Sequence, residues 1–343
     1  MRVLNADKVG KTSVLFHKND RKILSLLCYN ARLPISKIAK LSRLSRQSTE
    51  YRIKVMEKNH LIAGSRAVIN IKKLGYGSYH FFLNIRTESS EKEFRERCLK
   101  SNHVNALISY SGKWNYEVSL MEKNPSDAYD KFLDLIKGIE VVEYFPCIIL
   151  DTIKSSVLPG EIDEKKPNIK NIKNDPSFSR QFDLPKKEYK TDKKDKEILY
   201  LLSQNAQISL SYIGKKVGLT KDAVSYRIKK LIRGRYIFQF RPVIDFSVLN
   251  LSIQTVLIRS LPKTKEQEDK FNNYLRSSDK VLWATKLFGQ WNYLIYVINK
   301  DPNDIHEFIK NLKKDFEDYI HSYEIVFAYH EYKYSFMTPV ISS

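Results

Sequence analysis

Asp20-Arg-Lys-Ile-Leu-Ser-Leu-Leu-Cys-Tyr-Asn30-Ala31 returns 175 positions later as Asp195-Lys-Glu-Ile-Leu-Tyr-Leu-Leu-Ser-Gln-Asn205-Ala206. The match runs without a gap to Ile62 and Ile237, with 16 identities in 43 positions. Further on, Ser111-Gly-Lys-Trp-Asn-Tyr116 meets Phe288-Gly-Gln-Trp-Asn-Tyr293. Self-similarity of this length marks one structural unit present twice. Each unit has a front and a back section.

Working outward, Ile23, Leu24, Leu26 and Leu27 form the apolar stripe of a helix starting near Asp20, read as its N-cap. Ile35, Ile38, Ala39 and Leu41 mark a shorter second helix. Ser45 caps a third, whose buried stripe is Thr49, Ile53 and Met56. In the second copy these become Ile213, Gly214 and Val217, then the cap Thr220, then Val224, Ile228 and Leu231. Small residues at Ala39 and Gly214 let the second and third helices approach closely. The short turn between them, plugged by Leu44 or Leu219, makes a helix-turn-helix. The alternating stretches Leu61–Ile71 and Tyr236–Phe246 would supply a wing.

The back sections read strand, helix, strand, strand, helix, strand. In the first copy these are Tyr79–Arg86, Glu91–Ser101, Val104–Ser111, Trp114–Met121, Ser126–Lys137 and Val141–Leu150. In the second they are Ile253–Arg259, Lys265–Ser277, Val281–Phe288, Trp291–Asn299, Asn303–Asp318 and Ile320–Tyr329. That order predicts a βαββαβ, ferredoxin-like sandwich. The expected class is therefore α+β. Its domains are a winged helix-turn-helix at 1–75, a ferredoxin-like domain at 76–150, a linker at 151–190, then the same pair at 191–250 and 251–343. The linker carries Pro159-Gly160, Pro167, Pro176 and Pro185 among polar residues. As a flexible coil it would span about 35 Å.

Charge divides along the same boundaries. The chain carries +20 overall, from 59 basic and 39 acidic residues. Residues 1–75 hold 17 Lys and Arg against 4 Asp and Glu, and 190–250 hold 13 against 5. The back sections are near neutral, with 9 against 11 in 76–150 and 12 against 12 in 251–343. Excess confined to the front sections is the footprint of a polyanion-binding module. No apolar run approaches the roughly 18 residues of a membrane span, and Met1–Lys18 lacks a secretory apolar core. Cys28, Cys98 and Cys147 sit apart within apolar patterns, predicting buried free thiols and a cytosolic chain. The seven histidines make no metal-ligand spacing, so no metal or cofactor is expected.

A winged helix-turn-helix joined to a βαββαβ domain, with R-I-x-x-[LM] near the third helix's end and G-x-W-N in the hairpin, resembles the Lrp/AsnC transcriptional regulators. The likeness covers roughly residues 20–150 and 191–330. The resemblance implies binding to double-stranded DNA. It also implies pairing through the second, RAM-type domain, here within the chain, between chains or both. The family's usual chain holds one copy and pairs with another.

In such a motif the third helix enters the major groove. Its exposed positions are Arg46, Gln47, Ser48, Glu50 and Tyr51 in the first copy, and Lys221, Asp222, Ala223, Ser225 and Tyr226 in the second. Arg forks onto guanine and Gln onto adenine, which makes Arg46 and Gln47 the foremost base readers. Asp222 would accept from cytosine or cap its own helix. Lys54, Lys229 and Lys230 are expected on phosphate. Arg52 and Arg227, kept in both copies, either contact phosphate or lock the helix inside the domain.

In the resembled family the second domain binds small effectors, often amino acids, and its hairpin usually reads G-x-x-D. Gly112, Asn115, Gly289 and Asn292 are the corresponding effector candidates, with an amide where the carboxylate would be. Asn cannot supply the charge an ammonium group needs, which speaks against amino acids. Trp114, Trp291, Tyr116 and Tyr293 are expected in packing. Siroheme decarboxylases resemble this architecture too and occur as fused double copies. Their resemblance rests on a histidine- and arginine-rich strand, whereas Asn105–Gly112 and Leu282–Gly289 hold neither residue. His103 is expected on the surface. A third reading is a non-specific architectural DNA binder, which basic repeated modules would also satisfy.

Overall fold

The computed structural model describes residues 2–3, 16–160, 162, 189–261 and 264–343. Most of the expected linker, residues 161 and 163–188, lies outside the described residues. After a short strand β1 (Arg2–Val3), the first copy runs α1 (Lys18–Tyr29), α2 (Ile35–Ser42), α3 (Arg46–Lys58) and β2 (Ile62–Ile69). Its back section is β3 (Gly77–Ile85), α4 (Glu88–Lys100), β4 (Val104–Ser111), β5 (Tyr116–Glu122), α5 (Pro125–Ile136) and β6 (Val141–Ser155). The second copy repeats this as α6 (Lys193–Gln204), α7 (Leu210–Val217), α8 (Lys221–Arg233) and β7 (Ile237–Asp245). There follow β8 (Ser252–Ser260), α9 (Lys265–Ser277), β9 (Val281–Gly289), β10 (Tyr293–Asn299), α10 (Pro302–Phe316) and β11 (Ile320–Tyr334), with a last turn α11 (Pro339–Ser342). No helix among the described residues is long and apolar enough to cross a membrane.

Local chemistry explains the element ends. Ser45 Oγ accepts from the Ser48 amide at 3.0 Å, and Thr220 Oγ1 from the Ala223 amide at 3.2 Å. Asp20 is not the N-cap of α1. That position is His17, and Asp20 sits at N3, its carboxylate accepting from the His17 amide at 3.0 Å. The second copy shows why: Asp192 caps α6, and Asp195 reaches back to the Asp192 amide at 3.1 Å. A carboxylate at N3 satisfies one otherwise orphaned N–H just as a cap does.

The strand after α3 makes no hairpin of its own. β2 pairs antiparallel with β7, its counterpart in the other copy, in a sheet ordered β1-β7-β2. A lone strand leaves a whole edge of N–H and C=O groups unpaired, and the duplicate supplies the partner. The interlock is tight: the Ala31 amide donates to the Phe240 carbonyl at 3.0 Å, and the Ala206 amide to the Ser65 carbonyl at 2.9 Å. With an offset of 175, these are one interaction made twice. Each helix-turn-helix therefore buries apolar residues against the other copy. Ile23 and Leu26 share a core with Ile244 and Phe246, and Ile198 and Leu202 share one with Ala67 and Ile69.

The back sections fuse likewise. Each sheet has the ferredoxin-like order, β4-β5-β3-β6 and β9-β10-β8-β11, and the two join through β11–β4 and β6–β9 into a closed eight-stranded barrel. β6 was expected to end at Leu150 and β11 at Tyr329, yet they run to Ser155 and Tyr334. The extra residues extend the ladders made across copies, as Thr152 does with Thr285 and Tyr334 with Ala106. Helices α4 and α5 cover one outer face through Phe94, Phe132 and Leu135, and α9 and α10 cover the other through Phe271, Leu275 and Phe308. All three cysteines are buried and none is in a disulfide, and desolvation pushes the Cys147 thiol up to about 12.

Candidate nucleic-acid interface

On α3, Thr49 and Met56 are buried and Ile53 half-buried, which turns Arg46, Gln47, Tyr51 and Lys54 to solvent. Ser48 and Glu50 are partly covered, and Lys54 Nζ lies 3.1 Å from the Glu50 carboxylate. On α8, Val224, Ile228 and Leu231 are buried, leaving Lys221, Asp222, Tyr226 and Lys229 exposed and Ser225 partly covered. Lys230 sits 4.7 Å from the centre of the Tyr226 ring and 5.2 Å from that of Tyr189. Asp222 does not cap α8, since Thr220 does so, but it stands in the first turn, where the helix dipole favours an acid. Tyr51 and Tyr226 are 68% and 58% exposed.

Arg52 and Arg227 face inward. Arg52 donates to Asp20 at 2.8 Å, and Arg227 to Asp192 at 2.7 Å and Asp195 at 2.8 Å. Hydrogen bonds donated to Asp195 and Asp192 push the Arg227 guanidinium further above its ordinary range. Each arginine thus ties the third helix to the N-terminus of the first, the internal one of the two roles expected for it.

The hairpin residues are engaged in the fold. Asn115 Oδ1 accepts from the Ile85 amide at 2.6 Å, and Asn292 Oδ1 from the Ser260 amide at 2.7 Å. The amide oxygen caps the end of the neighbouring strand in both copies. Gly112 and Gly289 have φ of 131° and 150°, and a Cβ on Gly289 would stand 2.9 Å from the Pro146 carbonyl of the other copy. Trp114, Trp291, Tyr116 and Tyr293 are all buried. Trp114 Nε1 donates to Glu324 across the copies at 3.2 Å. His103 is partly buried rather than free on the surface, paired with Glu122 on the adjacent strand.

Sequence reading missed a cavity of about 310 Å³ between the wing sheet and the barrel interior. Its charged lining comprises Lys72, Arg241, His80, Glu117, Asp151 and Glu331. Glu117, 1% exposed, accepts from His80 Nδ1 at 2.5 Å and from the Tyr110 hydroxyl. Arg241 faces Arg66 across the β2–β7 ladder, at the same offset of 175. Arg66 donates to the Tyr334 carbonyl, and Arg241 to Ser155 Oγ at 2.8 Å, each bracing its wing strand to the last barrel strand of the other copy. The repetition of this arginine just beyond the aligned 43 residues was the signal available.

Comparison with known proteins follows the same division. Residues 192–232 match the AsnC-type helix-turn-helix domain, and residues 16–63 match the winged helix-turn-helix DNA-binding family. An uncharacterised HTH-type transcriptional regulator of Pyrococcus horikoshii is 31% identical over 127 residues, covering 37% of this chain and 79% of that protein. The HTH-type transcriptional regulator LrpA of Pyrococcus abyssi is 30% identical over 139 residues, covering 40% of this chain and 98% of its own length. The crystal structure of the siroheme decarboxylase NirDL superposes with a TM-score of 0.60 at 11% identity, covering 94% of both chains. At that identity the likeness is one of fold.

Proposed function

Because this chain belongs to the Lrp/AsnC family of transcriptional regulators, we propose that it binds specific double-stranded DNA sequences as a one-chain pseudo-dimer, α3 and α8 each entering a major groove. The carrying observation is the pair of outward helix faces, aromatic and cationic, on modules that hold nearly all the net positive charge. Arg46 and Gln47 read bases on one side, and Lys221, Ser225 and Tyr226 make a different set on the other. Lys54, Lys229 and Lys230 position the duplex through phosphate. Unequal readers prefer unequal half-sites, about 34–36 Å or a multiple apart along the duplex.

Selection of bound fragments from random duplex DNA at stated salt tests this. Enrichment of a bipartite site with two dissimilar halves is the expected result. Salt-dependent binding without enrichment would leave the architectural reading standing, and no binding in dilute buffer would remove both.

The decarboxylase reading draws on the whole-chain likeness of fold. The cavity argues against a polyanionic tetrapyrrole, since Glu117, Asp151 and Glu331 line it beside Lys72 and Arg241. Turnover of such a compound by the purified protein would reverse the preference.

A further inference from the structure

Arg241 is 5% exposed and lines the barrel cavity. Its Nε donates to Gln239 Oε1 at 2.7 Å, Nη1 to Ser155 Oγ at 2.8 Å and Nη2 to the Ser155 carbonyl at 3.1 Å. All three acceptors are neutral. A guanidinium has five N–H groups, so these three bonds leave two donors without an acceptor among the described residues, on a buried charge whose hydrogen-bonded neighbours there carry none. Desolvation lowers this arginine to about 10, whereas Arg227, held by two aspartates, moves the other way. Buried charges are ordinarily paired, and the cavity is where a partner would come from. The other buried ionic group there is already occupied: Glu117 is held by His80 and Tyr110. Apolar and aromatic side chains, among them Ile108, Phe238, Phe246 and Leu282, share the remaining walls with Lys72, Asp151 and Glu331, and Trp283 stacks on Tyr296 at 5.0 Å. A volume of about 310 Å³ with such walls and a few convergent polar groups is the usual form of a small-molecule site.

We propose that this cavity binds a small organic carboxylate with an apolar or aromatic body, its carboxylate forked onto the Arg241 guanidinium. The site has a route to the reading head. Gln239, which accepts from Arg241, also donates through Nε2 to the Cys28 carbonyl at 2.7 Å and the Tyr29 carbonyl at 3.1 Å, at the C-terminal end of α1. A ligand that redirects Arg241 changes the Gln239 bonds that hold this helix. The ligand is then an effector of DNA binding, a role that rests on the regulator reading, whereas the site itself does not. Linkage requires the duplex to change ligand affinity by the same factor as the ligand changes duplex affinity.

Titration calorimetry of the full chain with phenylacetate tests the site, with indole-3-acetate and 3-methylbutanoate as further acids and phenethylamine and phenylalanine as charge controls. We expect at least one acid to bind in a 1:1 ratio, with affinity at least ten-fold weaker in Arg241→Met and in Ala106→Leu. The second variant keeps the arginine and fills the cavity, so it carries the test if the first does not fold. Failure of all three acids to bind overturns the proposal. So does equal affinity in parent and variants, or binding of the amine or the amino acid as tight as that of the acids. Acid binding by a chain that ignores duplex DNA would keep the site and remove the regulator reading. Acid binding that leaves duplex affinity unchanged would overturn the effector role.

Discussion

Arg52 and Arg227 occupy the second turn of the helix proposed to face DNA, yet their charge is directed at aspartates of their own domain. Asp195 is fully buried, so Arg227→Ala removes its countercharge and leaves, among the described residues, only the Tyr189 hydroxyl and the Asp192 amide to hold it, and we expect a loss of about 2 kcal/mol in folding stability, measured by denaturant titration. A change in duplex affinity without a change in stability would instead mark a phosphate contact. Burial alone would raise the Asp192 carboxyl, but the Asp195 amide and the Arg227 guanidinium outweigh it and hold it below its ordinary 3.8. A carboxylate lowered in this way stabilises the fold fully above its unfolded pKa and loses that contribution as pH falls through the folded value. Melting temperatures of the parent and Asp192→Asn should therefore differ by a constant amount from about pH 5 to 7 and converge only as pH drops below 3.8 and through the folded value. Among the described residues Arg46 has no such internal ion pair, and it stands exposed at the first turn of α3. Arg46→Ala should weaken binding to the selected site by about 1–3 kcal/mol while sparing random DNA. Equal losses on both would demote it to a backbone contact.

At the scale of elements, the two helix-turn-helix turns solve one geometric problem differently. The residue after the second helix is left-handed in both, Gly218 at φ 66° and Arg43 at φ 58°. A side chain costs energy in that conformation and glycine does not. Arg43→Gly should stabilise the first domain by about 0.5–1 kcal/mol, read from its unfolding midpoint. Gly214 is constrained in the opposite sense, for a Cβ there would stand 2.4 Å from the Leu219 carbonyl oxygen. Gly214→Ala should cost about 1–3 kcal/mol, although alanine is the resident at the equivalent Ala39. The close approach expected from these two small residues is present in both copies. Spacing of apolar residues placed the helices to within a few residues because each buries one stripe on its own neighbours. The N-terminus of α1 was set three residues late, because an aspartate at N3 and one at the N-cap look alike in sequence.

For the whole molecule, pairing is intramolecular, and much of the stability of each half resides in the other. β2 with β7, β6 with β9, and β11 with β4 are all cross-copy ladders. A protease site inserted within residues 163–188 and then cut should leave the two halves associated, co-eluting on size exclusion under native conditions. Separation would mean that the covalent connection, rather than the ladders, holds the pair. The amino-acid sequence by itself determined the duplication, the order of elements, the segregation of charge and the outward faces of α3 and α8. Each of these follows from local periodicity or from residues counted along the chain. Only the tertiary structure decided that the wing strands pair with each other, that Arg52 and Arg227 turn inward, and that Asn115 and Asn292 cap strands. It alone placed at a barrel cavity a buried arginine that has no charged partner among the described residues. Those outcomes depend on contacts between residues 30 to more than 200 positions apart, and an unpaired sequence carries no record of which distant groups will meet.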